Sequence, residues 1–478
     1  MVKNFYITST LPYVNSEPHI GFAMEIIRAD IIARTKKLQG YEVFFNTGTD
    51  EHGQKIYENA QKAGKDVKEY VDGYAQSFKD LIPLLGLSTD IHFIRTTDDK
   101  HVHAAQEFWK KCFEKGDIYK KNYETKYCVG CELEKQDSEL VEGKCSLHPN
   151  KVLEIREEEN YFFRWSNYGQ YLLALYAKNP NFVIPDFRFN EIKAFVERGL
   201  EDFSISRLKS KMSWGVPVPG DDDHVMYVWF DALTSYISTL GWPDNTEQFE
   251  TFWGQGTPVQ YCGKDNLRQQ SAMWQAMLAS AGLPQSHQIV IDGFINSGGQ
   301  KMSKSLGNVI SPYDIVNEYG TDAIRYYVAR ELSTFEDSDV TMEKFKESYN
   351  ANLANGIGNL TSRIMKMAMD NLDVPVSIAE SEDMSVYFAF YDSFEISKAA
   401  DFVWNEIKSL DQYIQENQPF KVVKTDKEAG QKMIGELVVR LYSVARMLNP
   451  ILPETSEKIK ALIKENKVPE TPLFVRKD

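Results

Sequence analysis

The chain carries two successive apolar patterns. Over the first ~110 residues, short apolar runs alternate with helical stretches. Residues 4–10 (NFYITST) and 41–50 (YEVFFNTGTD) predict strands, and residues 21–38 (GFAMEIIRADIIARTKKL) predict an amphipathic helix between them. Such alternation is the pattern of a parallel α/β sheet. It breaks near 116–220, where cysteines and Lys/Glu-rich hairpins appear, and resumes at 224–238, 257–266 and 287–295. The expected fold is a Rossmann-type sheet split by an insertion. After about residue 343 the period changes: residues 352–369, 394–419 and 430–459 keep a 3.6-residue repeat over several turns, which predicts an all-α bundle. The expected division is 1–115 and 221–300 for the two halves of the sheet domain, 116–220 for the insertion, 301–342 for a loop and connecting region, and 343–478 for the bundle. A weak linker is expected near 373–383.

No window approaches the ~18 apolar residues of a membrane span, and the N-terminus lacks the pattern of a secretory leader. Five cysteines in 478 residues make no disulfide framework, which points to a reducing, cytoplasmic setting. A formal net charge of −15 argues against nucleic-acid binding over the whole surface, although a local basic stripe suffices for an RNA partner. Residues 110–126 and 198–211 are candidate stripes, against the alternative of solvated helix faces.

Three motifs carry chemistry. His19-Ile20-Gly21 lies between a strand and a helix, where free N–H groups and the helix dipole suit a phosphate. Lys301-Met302-Ser303-Lys304-Ser305 follows Gly298-Gly299, and two lysines on a glycine-bounded loop can offset charge developing on a polyphosphate. Cys128-x-x-Cys131 and Cys145-x-x-His148, 13 residues apart, have the spacing of a closed tetrahedral zinc site. Four ligands leave no open position, so the expected Zn²⁺, one per chain, is structural. Cys112 and Cys262 are expected to be buried thiols. A P-loop is absent.

His-x-Gly at the first strand–helix junction together with Lys301–Ser305 resembles the signature of class I aminoacyl-tRNA synthetases. The resemblance narrows to the methionyl-tRNA synthetase family through residues 10–15 (TLPYVN), 48–53 (GTDEHG), 228–232 (VWFDA) and 263–265 (GKD), and it covers nearly the whole chain. It implies activation of methionine with ATP·Mg²⁺ to methionyl-adenylate, then transfer to tRNA(Met), in a monomer. It further implies phosphate contacts from His19, Gly21, Lys301 and Lys304, and a ribose contact from Asp265. Asp50 is implied to pair the α-ammonium, and Leu11, Tyr13, Trp229, Ala232, Tyr236 and Trp274 to surround the thioether. Asn359, Arg363 and Phe420 are implied to read the anticodon. The rival readings are another class I synthetase, which for branched aliphatic substrates would carry a large editing domain, and a non-catalytic tRNA-binding relative.

The sequence departs from the family pattern in three places. Phe22 follows Gly21 where a histidine is usual, Phe420 replaces a tryptophan, and Gln269 and Gln270 stand where an aromatic residue and a histidine are usual. The two glutamines are expected either to turn away from the sulfur or to donate a weak hydrogen bond to it.

Overall fold

The computed structural model describes residues 3–129, 133–135, 140–145, 148–302, 308–378 and 383–478. Its centre is a six-stranded sheet containing β1 (Asn4–Ser9), β2 (Glu42–Thr49) and β3 (His92–Arg95). The order is β3–β2–β1, then Thr257–Gly263, Gln288–Asp292 and Val183–Ile184, all pairings parallel. Both faces are covered, so successive residues of β1 from Phe5 to Ser9 are all buried, and the strand reads as a run instead of an alternation. The chain leaves β1 toward β2 and β3, then returns to the other side of β1. The order therefore reverses between β1 and Thr257–Gly263, and the crevice beyond the carboxyl ends there is where such sheets bind ligands.

The helix α1 (Ile20–Leu38) follows β1 and packs beneath this crevice. It is buried almost all round, and its internal charges are answered. Arg28 bonds the carbonyls of Val328, Leu332, Ser333 and Thr334 and lies 3.1 Å from Asp292.

One strand of the main sheet, Val183–Ile184, comes from within the region read as an insertion. Two residues give no periodicity, so this edge strand left no signal. The rest of that region extends from the sheet as a long antiparallel hairpin, Ile118–Cys128 against Glu154–Phe163, with the Cys/His cluster at its tip. Residues 224–238 are a short antiparallel strand ending at Met226, outside the main sheet, followed by the helix Val228–Ser238. After Gln300–Lys301, which pairs back on Ile295–Ser297, the chain enters the bundle. Its helices include Asn359–Asn371, Ile396–Asn417, Lys427–Leu448 and Pro453–Glu465, the last two separated at Asn449-Pro450. One hydrophobic cluster runs without a break from Ile7 and Ile27 under the sheet to Leu410 and Leu441 in the bundle. Residues 373–383 join two bundle helices and are not a boundary between domains. Among the described residues no helix is long and apolar enough to cross a membrane.

Candidate active site, metal centre and nucleic-acid interface

The two signature motifs meet at the start of α1. His19 is its N-cap, and Nδ1 accepts from the Gly21 N–H at 3.1 Å. With Nδ1 accepting, the ring hydrogen of the neutral imidazole sits on Nε2, which makes that atom a donor. Gly21 has to be glycine here, since a Cβ would lie 2.9 Å from His19 Cε1. The same position lies 3.9 Å from Met302 Cε, and the Ile20 N–H donates to the Ile310 carbonyl at 3.0 Å. The segments on either side of residues 303–307 are thus fastened to the first turn of α1. Lys304 and the Lys301 side chain lie outside the described residues. Phe22 turns away from this end and packs edge-on against Phe78 at 5.1 Å, so its ring serves the core.

Glu25, one turn further along α1, spans the crevice. Its carboxylate accepts from the Thr10 N–H at 2.6 Å and the Gly263 N–H at 3.1 Å, tying the carboxyl ends of the two strands at the reversal point. Burial, with Asp292 and Asp265 adding, pushes its carboxyl up to about 8. Sequence reading missed it, because a glutamate on an amphipathic helix looks like a surface residue. Asp265 is exposed just past Gly263, its carboxylate accepting from Asn266 Nδ2 at 3.1 Å.

Asp50 lies at the carboxyl end of β2. Its backbone is bridged to the 11–15 segment by Asp50 N–H to Pro12 O at 2.9 Å and Val14 N–H to Asp50 O at 3.1 Å, which sets Leu11 and Tyr13 beside it. The Tyr13 hydroxyl closes over Gly53, where a Cβ would come within 2.3 Å of it and φ is +125°. Asp50 Oδ1 is buried without a hydrogen-bond partner. Burial raises its carboxyl well above the usual range, and Asp231 and Glu51 add to this against the His52 N–H.

The neighbouring acids are compensated. Glu51 is gripped by Arg95 at 2.6 and 2.8 Å. Asp231 accepts from His52 Nδ1 at 2.6 Å and His101 Nε2 at 2.7 Å; burial works to raise its carboxyl, but the two imidazoles hold it at about 2. Asp50 is therefore a preformed site for a cation.

Trp229, Ala232 and Tyr236 share one face of the Val228–Ser238 helix at helical spacing. Trp229 is 37% exposed, whereas Leu11, Tyr236 and Trp274 are buried. Trp274 meets Tyr236 edge-on at 6.2 Å and stacks on Phe108 at 5.4 Å. Gln270 is buried with both ends of its amide engaged, donating to the Tyr236 hydroxyl at 2.6 Å and accepting from Gln260. Gln269 is half-buried with Oε1 unpartnered.

At the hairpin tip, His148 Nδ1 lies 3.9 Å from Cys128 Sγ and 4.0 Å from Cys145 Sγ, both sulfurs buried. Tetrahedral zinc with ordinary bond lengths places such atoms about 3.6 Å apart, so the three donors fit a metal of that kind. Cys131 lies outside the described residues. Cys112 and Cys262 are buried thiols in the core. The basic stretches are largely paired: Lys110 meets Glu107 at 2.6 Å, and Lys120 meets Asp221 at 2.7 Å.

In the bundle, a cavity of about 500 Å³ is lined by Ser362, Arg363, Lys366, Met367, Ile414 and Phe420. Arg363 is held by Asp411. Phe420 is 41% exposed, and Asn359 lies exposed one turn before Arg363. A guanidinium beside a half-open aromatic face suits an unstacked base.

Comparison with known proteins places the chain. The family model described as tRNA synthetases class I (M) matches residues 5–150 and 130–365. Methionine–tRNA ligase of Thermotoga maritima is 41% identical over 95% of this chain and 74% of its own length. That of Thermosynechococcus vestitus is 40% identical over 96% and 90%. The Mycobacterium tuberculosis methionyl-tRNA synthetase in complex with methionyl-adenylate superposes with a TM-score of 0.90 at 34% identity, covering 99% of this chain and all of that one.

Proposed function

The chain belongs to the methionine-specific class I tRNA synthetases, and on that premise we propose how its residues divide the reaction. It is a methionine–tRNA ligase: methionine is activated with ATP and then esterified to the 3′-terminal adenosine of tRNA(Met). In the first step a methionine carboxylate oxygen bonds the α-phosphorus of ATP as the bond to pyrophosphate breaks. In the second, a ribose hydroxyl of the tRNA attacks the carbonyl and AMP leaves. Both steps need reactants held in line and charge offset as it shifts, and neither needs a covalent enzyme intermediate.

Asp50 takes the α-ammonium, the observation that carries this reading being its buried, unpartnered oxygen beside the crevice. Leu11, Tyr13, Trp229, Ala232, Tyr236 and Trp274 enclose the thioether. His19 Nε2 and the free N–H groups of the first turn at Gly21 face the phosphates, joined by Lys301 and Lys304, and Asp265 holds the ribose. Mg²⁺ arriving with ATP supplies further charge neutralisation.

Cys128, Cys131, Cys145 and His148 hold a structural zinc that folds the hairpin tip. Residues 343–478 form the anticodon-binding unit, in which Asn359 and Arg363 read base edges and Phe420 stacks. The protein acts as a cytoplasmic monomer. Methionine-dependent exchange of pyrophosphate into ATP, lost on Asp50→Ala, tests the assignment.

A further inference from the structure

Behind Tyr236 lies a chain of buried amides and hydroxyls that the reaction as described does not use. Gln260, Gln270, Gln275 and Ser286 are each at most 3% exposed. Backbone groups fix the direction of this chain. The Ser286 N–H, which only donates, gives its hydrogen to Gln275 Oε1 at 3.0 Å. Gln275 Nε2 must then donate, and it reaches the Gln270 carbonyl at 2.8 Å and Ser286 Oγ at 3.0 Å. Having accepted there, Ser286 gives its single hydroxyl hydrogen to Gln260 Oε1. Gln260 turns Nε2 to Gln270 Oε1, and Gln270 turns Nε2 to the Tyr236 hydroxyl oxygen at 2.6 Å. Each amide orientation follows from the one before it.

Tyr236 ends the chain as an acceptor, and its own hydrogen meets no acceptor among the described residues. Burial raises this phenol well above its ordinary value, so the hydrogen is present at any working pH. A buried donor left without an acceptor is costly in the free protein and calls for one from a ligand.

We propose that Gln260, Gln270, Gln275 and Ser286 form a directional relay that forces Tyr236 to offer an O–H donor to the amino-acid side chain, so that the slot selects a lone-pair acceptor over a hydrocarbon of the same shape. The inference rests on the reading that the methionine side chain lies against Tyr236. Gln270 acts through Tyr236 and is a positioning residue. It fixes the phenol with an amide that does not titrate, so the selectivity for a thioether is independent of pH.

The test compares methionine with norleucine, its hydrocarbon isostere, in pyrophosphate exchange across pH 6–9 (roughly the range in which a perturbed buried carboxyl titrates). The wild-type ratio of kcat/KM is expected to favour methionine by roughly tenfold from this hydrogen bond and to stay flat with pH. Gln270→Glu places an acceptor-only group there once ionised, drawing the Tyr236 hydrogen away from the slot. Its ratio should match the wild type where the new carboxyl is protonated and fall toward one as pH rises. Tyr236→Phe should lower the ratio at every pH. Should Gln270→Glu not fold, Ser286→Ala, which frees Gln260 to turn over, should lower the ratio partially.

A Gln270→Glu ratio equal to the wild type at all pH values overturns the relay, as does an unchanged ratio in Tyr236→Phe. An unchanged ratio in Ser286→Ala does the same where that variant stands in. A wild-type protein that activates neither amino acid overturns the substrate reading itself, and the relay's role with it.

Discussion

Arg325 and Asp30 form an ion pair at 2.8 Å in which neither side chain is exposed. Arg325 also donates to the carbonyls of Pro450 at 2.7 Å, Ile451 at 2.9 Å and Leu85 at 3.1 Å, and Asp30 accepts from Arg34 and Ser88. One guanidinium thus joins the helix that begins at His19, the segment after the sheet, and the corner between the last two bundle helices. The buried pair fixes how the bundle sits on the catalytic sheet.

Arg325→Met leaves Asp30 and three carbonyls without their partner. Its expected cost is about 3–5 kcal/mol, the range for breaking a buried pair from one side. Burial works to raise the Asp30 carboxyl, but Arg325 and Arg34 hold it below its ordinary value. A carboxyl whose value is lowered by folding stabilises above the unfolded-chain value, and that contribution is lost as pH falls through the folded one. The wild type should therefore lose stability in acid more steeply than Arg325→Met. Denaturant midpoints measured between pH 3 and pH 7 (roughly the span in which carboxyls titrate) check both, and parallel acid limbs would argue against the pair.

Asp50 carries the opposite sign. Folding raises its carboxyl, so its neutral form contributes stability at low pH that is lost as pH rises through the raised value. Asp50→Asn has no charge to bury. It should match the wild type in acid and exceed it by about 1–3 kcal/mol at neutral pH, while failing to bind methionine. Melting temperature against pH, with and without methionine, tests this. Methionine should raise the wild-type value alone, and a variant still stabilised by methionine would remove Asp50 from the ammonium site.

Much of this site was legible in the chain. Short motifs with fixed chemistry marked His19, Asp50 and the Cys/His cluster, because glycine, histidine and cysteine at set spacings have few other uses. The residues that complete the site left no such trace. Glu25 looks like one polar position on a helix, and its bond to Gly263 exists only because two distant strands lie side by side. His52, His101 and Asp231 come from three separate segments. The departure at Gln270 was visible, but its meaning was not, since Gln260 and Ser286 are brought to it by the sheet. Val183–Ile184 was too short to declare itself a strand.

Removal of metal should separate the hairpin tip from the sheet. Protein prepared without chelator is expected to contain one zinc per chain by elemental analysis, and Cys145→Ala none at full occupancy. Because Cys128, Cys145 and His148 lie at the far end of the hairpin from the crevice, loss of zinc should impair transfer to tRNA well before it slows pyrophosphate exchange. Equal loss of both activities would mean that the metal supports the catalytic sheet directly.

The central claim, that the crevice beside Asp50 activates methionine, is tested most directly by pyrophosphate exchange into ATP with methionine, leucine, isoleucine, valine, cysteine and glutamine run side by side. Methionine is expected to give the highest kcat/KM, and Trp229→Ala to raise the KM for methionine strongly while leaving that for ATP nearly unchanged. Lys304→Ala is expected to slow exchange by on the order of 10²–10³ with methionine affinity retained. Another amino acid exceeding methionine would contradict the account of the slot, and no exchange with any of them would contradict the account of the enzyme.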